Sequence, residues 1–254
     1  MPIKQDNSRP GGESTLPDPL ARNAGGVSPC HACPIRPLSI CNALSSDEIS
    51  EIENIMTTVN LTHGQALFDE GDPANHRYNI TSGCLSIYKL LGDGRRQIIG
   101  FLFPGDFLGL SIEDTHAYGA EAVSKTTLCR FHRRDFDDLV ERHANLEKRL
   151  FGVASDELAV AQDQMVLLGR KSAKEKVVTM LLNLSRRAKR RTGSGNPIKL
   201  PMTRQDIGDY LGLTTETVSR TFTQLKTSGL VTMEPENRVR INDRGALEEL
   251  AEGF

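Results

Sequence analysis

Hydrophobic and polar positions change their period several times along the chain, and each change marks an element. In "SSDEISEIENIMTTV" Ile49, Ile52, Ile55 and Met56 fall on one stripe behind Ser45 and Ser46, either of which can cap. This predicts a short helix over 45–59. From 60 to 136 that period disappears. Short β-prone runs ("LSIYKLL", "RQIIGFLF", "TTLCRFH") alternate with glycines at 64, 71, 83, 92, 94, 100, 105, 109 and 119, which predicts an antiparallel roll or barrel. "LLGDGRRQIIGF" reads as a hairpin turning at Asp93-Gly94. A helical period returns from about Asn145 to Leu168. Phe151, Ala154, Leu158, Ala161, Met165 and Leu168 step by 3, 4, 3, 4, 3, with Ser155, Asp156, Glu157, Gln162 and Asp163 off that line. Such a seam predicts a parallel dimer of helices, and its alanines allow close approach. The alternative is a helix packed only on its own domain.

The carboxy-terminal third is the most informative. A helix over 171–192 ends at "TGSGNP", and "LPMTRQDIGDYLGLTTETVSRTFTQLKTSGLV" follows. Thr203 and Asp206 stand at capping-box spacing. Ile207, Tyr210 and Leu211 point inward, Gly212 makes a turn, and Thr214 caps a second helix buried through Val218, Phe222 and Leu225. This is a helix-turn-helix, and "LVTMEPENRVRI" adds a two-stranded wing. The outward face of the second helix carries Thr215, Glu216, Ser219, Arg220 and Thr223. Glu216, Ser219 and Arg220 share the end of a recognition helix that enters the major groove, where Arg can donate to guanine O6 and N7 and Glu can accept from cytosine. The competing reading is a surface ion pair between Glu216 and Arg220, worth a few tenths of a kcal/mol.

Charge sharpens this division. The net charge is −2 over 254 residues, but residues 171–254 hold 15 Lys and Arg against 10 acids, and residues 1–170 hold 16 against 23. A basic back on an acidic front suits a polyanion partner, and the run "SRRAKRR" (185–191) concentrates it. No apolar run approaches the roughly 18–20 residues that span a bilayer, and "MPIKQDNSRPGGESTLPDPL" has no apolar signal core, so a cytoplasmic protein with no membrane partner is expected. The tail over 1–29 reads as disordered. None of the six His sits in a nucleophile–base motif and no Walker loop is present, so a Cys-dependent enzyme finds no support.

Three of the five cysteines, Cys30, Cys33 and Cys41, cluster as C-x2-C-x7-C in "SPCHACPIRPLSICNAL". In a reducing compartment such clusters bind metal or sense redox more often than they form disulfides. His31 is a possible zinc ligand but reads as a loop residue, and Cys84 reads as a core residue.

"MTRQDIGDYLGLTTETVSR" resembles the helix-turn-helix of CRP/FNR transcription regulators, and "HGQALFDEGDPANHRYNITSGCLSIYK" resembles their Gly-rich sensor roll. The resemblance spans about residues 30–250. It implies an α+β chain: a disordered tail (1–29), a cysteine-rich cluster-binding loop (30–44), an antiparallel β-roll sensor domain of the cyclic-nucleotide-binding type (45–143), a dimerisation helix (144–169), and a winged helix-turn-helix domain (170–254). It further implies a homodimer on a palindromic DNA site, its half-sites about 34 Å apart. The cyclic-nucleotide branch carries an Arg-Ser or Arg-Thr pair where this chain has "HAYGAEA", so no cyclic nucleotide is expected. The FNR branch carries a fourth cysteine late in its roll, and Cys129 in "SKTTLCRFHRRDF" matches it. That resemblance implies an oxygen-labile [4Fe–4S] cluster on Cys30, Cys33, Cys41 and Cys129, DNA reading by Thr215, Glu216, Ser219 and Arg220 at TTGAT-like half-sites, and a contact with RNA polymerase. The seven-residue gap between Cys33 and Cys41 is longer than the five of the best-known members. Zinc on the same thiolates is the alternative, because tetrahedral all-sulfur sites also suit it.

Overall fold

Strand alternation and glycine punctuation fold into two facing four-stranded antiparallel sheets in the computed structural model, which describes residues 28–111 and 113–253. The tail read as disordered lies, for residues 1–27, outside the described residues. One sheet orders β1 (Met56–Leu61), β8 (Thr126–His132), β3 (His76–Ser82) and β6 (Phe107–Leu108). The other orders β2 (Ala66–Phe68), β7 (Gly119–Ala122), β4 (Leu85–Leu90) and β5 (Arg96–Leu102). Leu61, Phe68, Tyr78, Ile80, Leu85 and Leu128 are among the side chains buried in the roll. The β4–β5 hairpin turns where the sequence places it, with Gly94 at φ +82° and Leu91 N–H donating to Arg95 O at 2.8 Å.

The helix expected over 45–59 is shorter. Ser45 and Glu48 cap each other around a turn, α1 covers Ile49–Asn54, and Met56 already begins β1. The β-branched Thr57, Thr58 and Val59 pair across β8, which overrides the helical stripe at its end. Ile49 and Ile52 are fully buried, as the stripe predicts. The sequence reading assigns no helix to residues 133–142, where α2 (Arg133–Arg142) buries Phe136 and Leu139.

The predicted long helix is α3 (Ala144–Arg170), 27 residues and about 40 Å long. Leu146, Leu150 and Leu167 face its own chain. Phe151, Leu158 and Met165 stay 76%, 60% and 69% exposed, and Ala154 and Ala161 are exposed beside them. Leu168, expected on the same seam, is half-buried against the carboxy-terminal core beside the Gly212 turn. The last turn of α3 lies on the helix-turn-helix domain, so the open stripe ends at Met165.

The carboxy-terminal domain follows its capping signals. Ser172 and Glu175 form a capping box at α4 (Ala173–Thr192), and Gly193 ends it at φ +75°. Thr203 and Asp206 do the same for α5 (Arg204–Leu211), Gly212 turns at φ +63°, and Thr214 caps α6 (Thr215–Thr227). The wing strands β10 (Val231–Glu234) and β11 (Arg238–Ile241) gain an unforeseen third strand, β9 (Ile198–Lys199), and α7 (Arg244–Glu252) closes the domain. Among the described residues no helix is long and apolar enough to cross a membrane.

Candidate nucleic-acid interface and thiol cluster

Helix α6 presents its first turns to solvent because its apolar side is fully used. Val218, Phe222 and Leu225 are buried, while Thr215, Glu216, Ser219, Arg220 and Thr223 are all exposed. The turn before α6 is tight: a Cβ on Gly208 would meet Leu213 O at 2.6 Å, so only glycine allows this approach of α5 to the turn. Glu216 keeps its carboxyl below the usual range through its own backbone N–H and the Thr214 hydroxyl, with a smaller pull from the Arg220 charge. Among the described residues no salt bridge joins Glu216 to Arg220, although the Arg220 charge reaches Glu216. A groove of about 310 Å³ runs beside this face, lined by Arg204, Ser219, Phe222, Thr223, Lys226 and Met233. The Arg204 guanidinium lies 3.4 Å from the centre of the Phe222 ring.

The basic run on α4 divides in two. Arg187 donates to Phe101 O at 3.0 Å and pairs with Asp106, and Arg191 lies 4.5 Å over the Phe103 ring. Arg186, Lys189 and Arg190 point to solvent. Two of the five basic side chains in this run are therefore spent on an interdomain contact with the roll.

The thiols come from two places. Cys30, Cys33 and Cys41 lie on the segment before α1, and Cys129 lies on β8, where it pairs with Thr58 and Asn79. All four are half-buried, and Cys30, Cys41 and Cys129 pack on one apolar cluster with Ile40, Phe131 and Leu150. Burial pushes the Cys129 thiol up to about 12, and the charges that Cys30, Cys41 and Cys33 would carry push the same way. Cys30 is likewise pushed up to about 12 by burial, then by Glu53, Cys41 and Cys33, against a smaller pull from Arg36. Burial also raises Cys41, partly offset by its hydrogen bond from Ser39. The Cys129 thiol thus feels the other three, although among the described residues no three His, Cys, Asp or Glu side chains are grouped so as to hold a metal ion. His31 is occupied elsewhere: its ring hydrogen-bonds Ser28 Oγ at 2.8 Å and Ser46 O at 3.0 Å. Cys84 is fully buried, far up from its ordinary range by desolvation, and packs in the core under Tyr88 and Phe103.

Two family models account for most of the chain: a cyclic nucleotide-binding domain over residues 58–143 and a Crp-like helix-turn-helix domain over 175–250. The nitrogen fixation regulation protein FixK of Bradyrhizobium diazoefficiens is 44% identical over 202 residues, covering 80% of this chain and 85% of that protein. The chain belongs to the CRP/FNR family of transcription regulators. The transcriptional activator protein FnrL of Cereibacter sphaeroides is 35% identical over 226 residues, covering 87% of this chain and 91% of that one. Among solved structures, FixK2 from Bradyrhizobium japonicum matches with a TM-score of 0.72 at 37% identity, covering 77% of this chain and 97% of that one. Family membership makes the protein a DNA-binding transcription regulator whose helix-turn-helix domain includes α5 and α6.

In the cyclic nucleotide-binding domain of this family member, aromatic rings fill the space around "HAYGAEA". His116 is buried and stacks on Phe68 at 3.4 Å between ring centres. Tyr118 is half-buried there, and a Cβ on Gly119 would lie 2.7 Å from Tyr88 Cζ. The nearby buried guanidinium, Arg77, donates to Gly109 O and to Ser111 O at 3.0 Å and faces Asp137 at 3.4 Å. Its donors thus serve the loop and α2 rather than a free anion site. Sequence reading does not find Arg77, nor Arg96 and His143, because each has a partner 60 or more residues away.

Proposed function

We propose that the protein is an oxygen-responsive transcription activator that works as a homodimer in the cytoplasm and takes up a metal centre on Cys30, Cys33, Cys41 and Cys129. The single observation that carries this reading is that Cys129, on β8, packs on the same apolar cluster as Cys30 and Cys41 of a segment some 90 residues earlier. Four thiolates suit a [4Fe–4S] cluster. Zinc with Zn–S bonds of about 2.3 Å draws its sulfurs into near contact. A cubane would space its ligands more widely, and the spectrum separates the two. The cluster would supply chemistry that oxygen can destroy.

The remaining steps belong to the chain's own residues. The cysteine segment rests on the head of α3, with Arg149 donating to Leu38 O at 3.4 Å. The exposed stripe of Phe151, Ala154, Leu158, Ala161 and Met165 supports pairing with a second copy. Pairing sets two α6 helices one turn of DNA apart, so that Thr215, Glu216, Ser219 and Arg220 read the two halves of a palindromic, TTGAT-like site in double-stranded DNA. The similarity to proteins named as transcriptional activators supports activation through RNA polymerase. No cyclic nucleotide enters this reading, because the roll offers packed rings where a phosphodiester would need a guanidinium.

The test is anaerobic purification with iron and sulfide counts and a visible spectrum. Four iron and four sulfide per chain with a brown, broadly absorbing band support the reading. A colourless protein holding one zinc supports the alternative.

A further inference from the structure

Helix α3 begins at a side chain that does not cap it. His143 sits at the junction of α2 and α3, and its ring makes no capping hydrogen bond to α3. The ring instead lies between the carboxylates of Glu48, at the amino-terminal cap of α1, and Glu51 within it: Nδ1 is 3.2 Å from Glu48 Oε1, and Nε2 is 3.3 Å from Glu51 Oε2. The side chain is only 11% exposed, and Nε2 is fully buried with no well-aligned hydrogen bond besides that approach to Glu51. Arg142 closes the group at 2.5 Å from Glu51 Oε2. Glu48 is fixed from its other side, accepting from Ser45 N–H at 2.7 Å.

Helix α1 is also tied to the cysteine segment at both of its ends. Ser28 donates to Glu53 at the carboxy-terminal end, and the Cys30 thiol feels the Glu53 charge. His31 hydrogen-bonds Ser28 Oγ and, through its other nitrogen, Ser46 O just before α1. Beneath these contacts Ile49 and Ile52 are fully buried in one cluster with Leu139, Leu146 and Leu150. The turn bearing Cys30 and Cys33, helix α1 and the first turn of α3 are therefore one linked unit whose polar junction is His143.

We infer that His143, clamped by Glu48 and Glu51, is the positioning residue that passes the state of the cysteine segment to the dimerisation helix. The inference rests on the metal-binding reading proposed above. When the thiolates are tied to a metal, the segment holds α1 in place, and α1 holds the amino-terminal end of α3 through the His143 ring. When they are released, the segment keeps only its few hydrogen bonds, and the grip on α3 weakens. The burial of Leu146 and Leu150 keeps α3 on the roll in either state, so the clamp sets the placement of the helix rather than its existence.

The test uses the full chain, made metal-free and then loaded anaerobically with ferrous iron and sulfide. Loading is read from the visible spectrum and dimerisation from sedimentation. In the unsubstituted protein, loading should tighten the dimer by about ten-fold or more, within the usual range of allosteric coupling. His143→Ala should load with the same spectrum but tighten by less than about two-fold. Glu48→Gln/Glu51→Gln, which leaves His143 in place, should behave alike and decides the matter if His143→Ala does not fold. His143→Arg, which offers donors to both carboxylates, should restore most of the coupling, a rescue that simple packing would not produce. Variants that load and tighten as the unsubstituted protein does would overturn the inference alone. Variants that fold but take up no cluster would also overturn it, by making the clamp part of the metal site. An unsubstituted protein that takes up no cluster would instead defeat the functional reading, and this inference with it.

Discussion

Arg96 on β5 places its Nη2 2.5 Å from Oδ1 of Asp206 on α5, joining the sensor roll to the first helix of the helix-turn-helix. The same guanidinium reaches Asp209 and Glu121, each at 3.3 Å, and Gln97 donates to Asp209 O at 2.6 Å. Asp206 is also the capping-box acid of α5, accepting from Thr203 N–H at 2.9 Å. Removing the cation leaves three partly buried carboxylates close together, so Arg96→Ala should cost about 1–3 kcal/mol of stability. Thermal unfolding should show a fall of several degrees, since 1 kcal/mol is worth roughly 2–4 °C at this size. An unchanged midpoint would show that the three acids re-solvate freely.

Ligand assignments separate by substitution. Cys30→Ser, Cys33→Ser, Cys41→Ser and Cys129→Ser should each abolish the visible absorption and anaerobic DNA binding, because a hydroxyl replaces a soft thiolate poorly. Cys84→Ser should load normally, since Cys84 is buried under Tyr88 and Phe103 away from the other thiols. The assignment of the fourth ligand fails if Cys129→Ser stays brown while Cys84→Ser does not.

Much of this was readable from local chemistry. Thr203 with Asp206, Ser172 with Glu175, and Gly212 at positive φ are short-range devices that a linear sequence displays in full. The stripe from Phe151 to Met165 is likewise a matter of period. What was hidden depends on distant partners. Leu168 leaves the seam because α5 and the Gly212 turn come to meet it. Arg187 and Arg191 leave the basic run because Phe101, Phe103 and Asp106 of the roll attract them. Thr57 to Val59 leave the expected helix because β8, some 70 residues later, supplies a ladder. The cysteines were a partial case: the spacing of three was visible, Cys129 was reached only through the family resemblance, and the fold packs it on one apolar cluster with Cys30 and Cys41.

Metal uptake should depend on pH with a fixed sign. Burial and mutual repulsion raise Cys30 and Cys129 to about 12 in the metal-free chain, so both are protonated near neutrality. Coordination must displace those protons. The apparent affinity should therefore rise with pH between 6 and 9 and fall on acidification, and loading in weak buffer should release protons. Competition with a chelator at pH 6.5 and 8.5 checks this. Equal apparent affinity at both values would mean that the thiols are already ionised.

Base reading is tested at Arg220. Arg220→Ala should weaken binding to the specific duplex by about 1–3 kcal/mol and flatten discrimination at one guanine of each half-site. Losses of equal size on random duplex would assign Arg220 to phosphate alone.

The stripe on α3 carries no charge from Phe151 to Met165 at its seam positions, so nothing charged is desolvated when two copies meet. A metal-free chain should retain a measurable dimer fraction at micromolar concentration. Ala161→Asp sets two like charges across the two-fold axis and should shift the air-treated protein to monomer. Sedimentation of both proteins under air decides it, and a monomer without the substitution would assign control of pairing to helix placement alone.

Control of DNA binding by the thiol-held centre is tested in one titration. A duplex bearing two TTGAT-like half-sites about one helical turn apart is titrated with anaerobic protein, and then with the same preparation after air. Binding should be tight and two-fold symmetric before air and should lose its specific affinity afterwards, with the loss tracking the fading visible band. Equal binding before and after the band has gone would contradict such control.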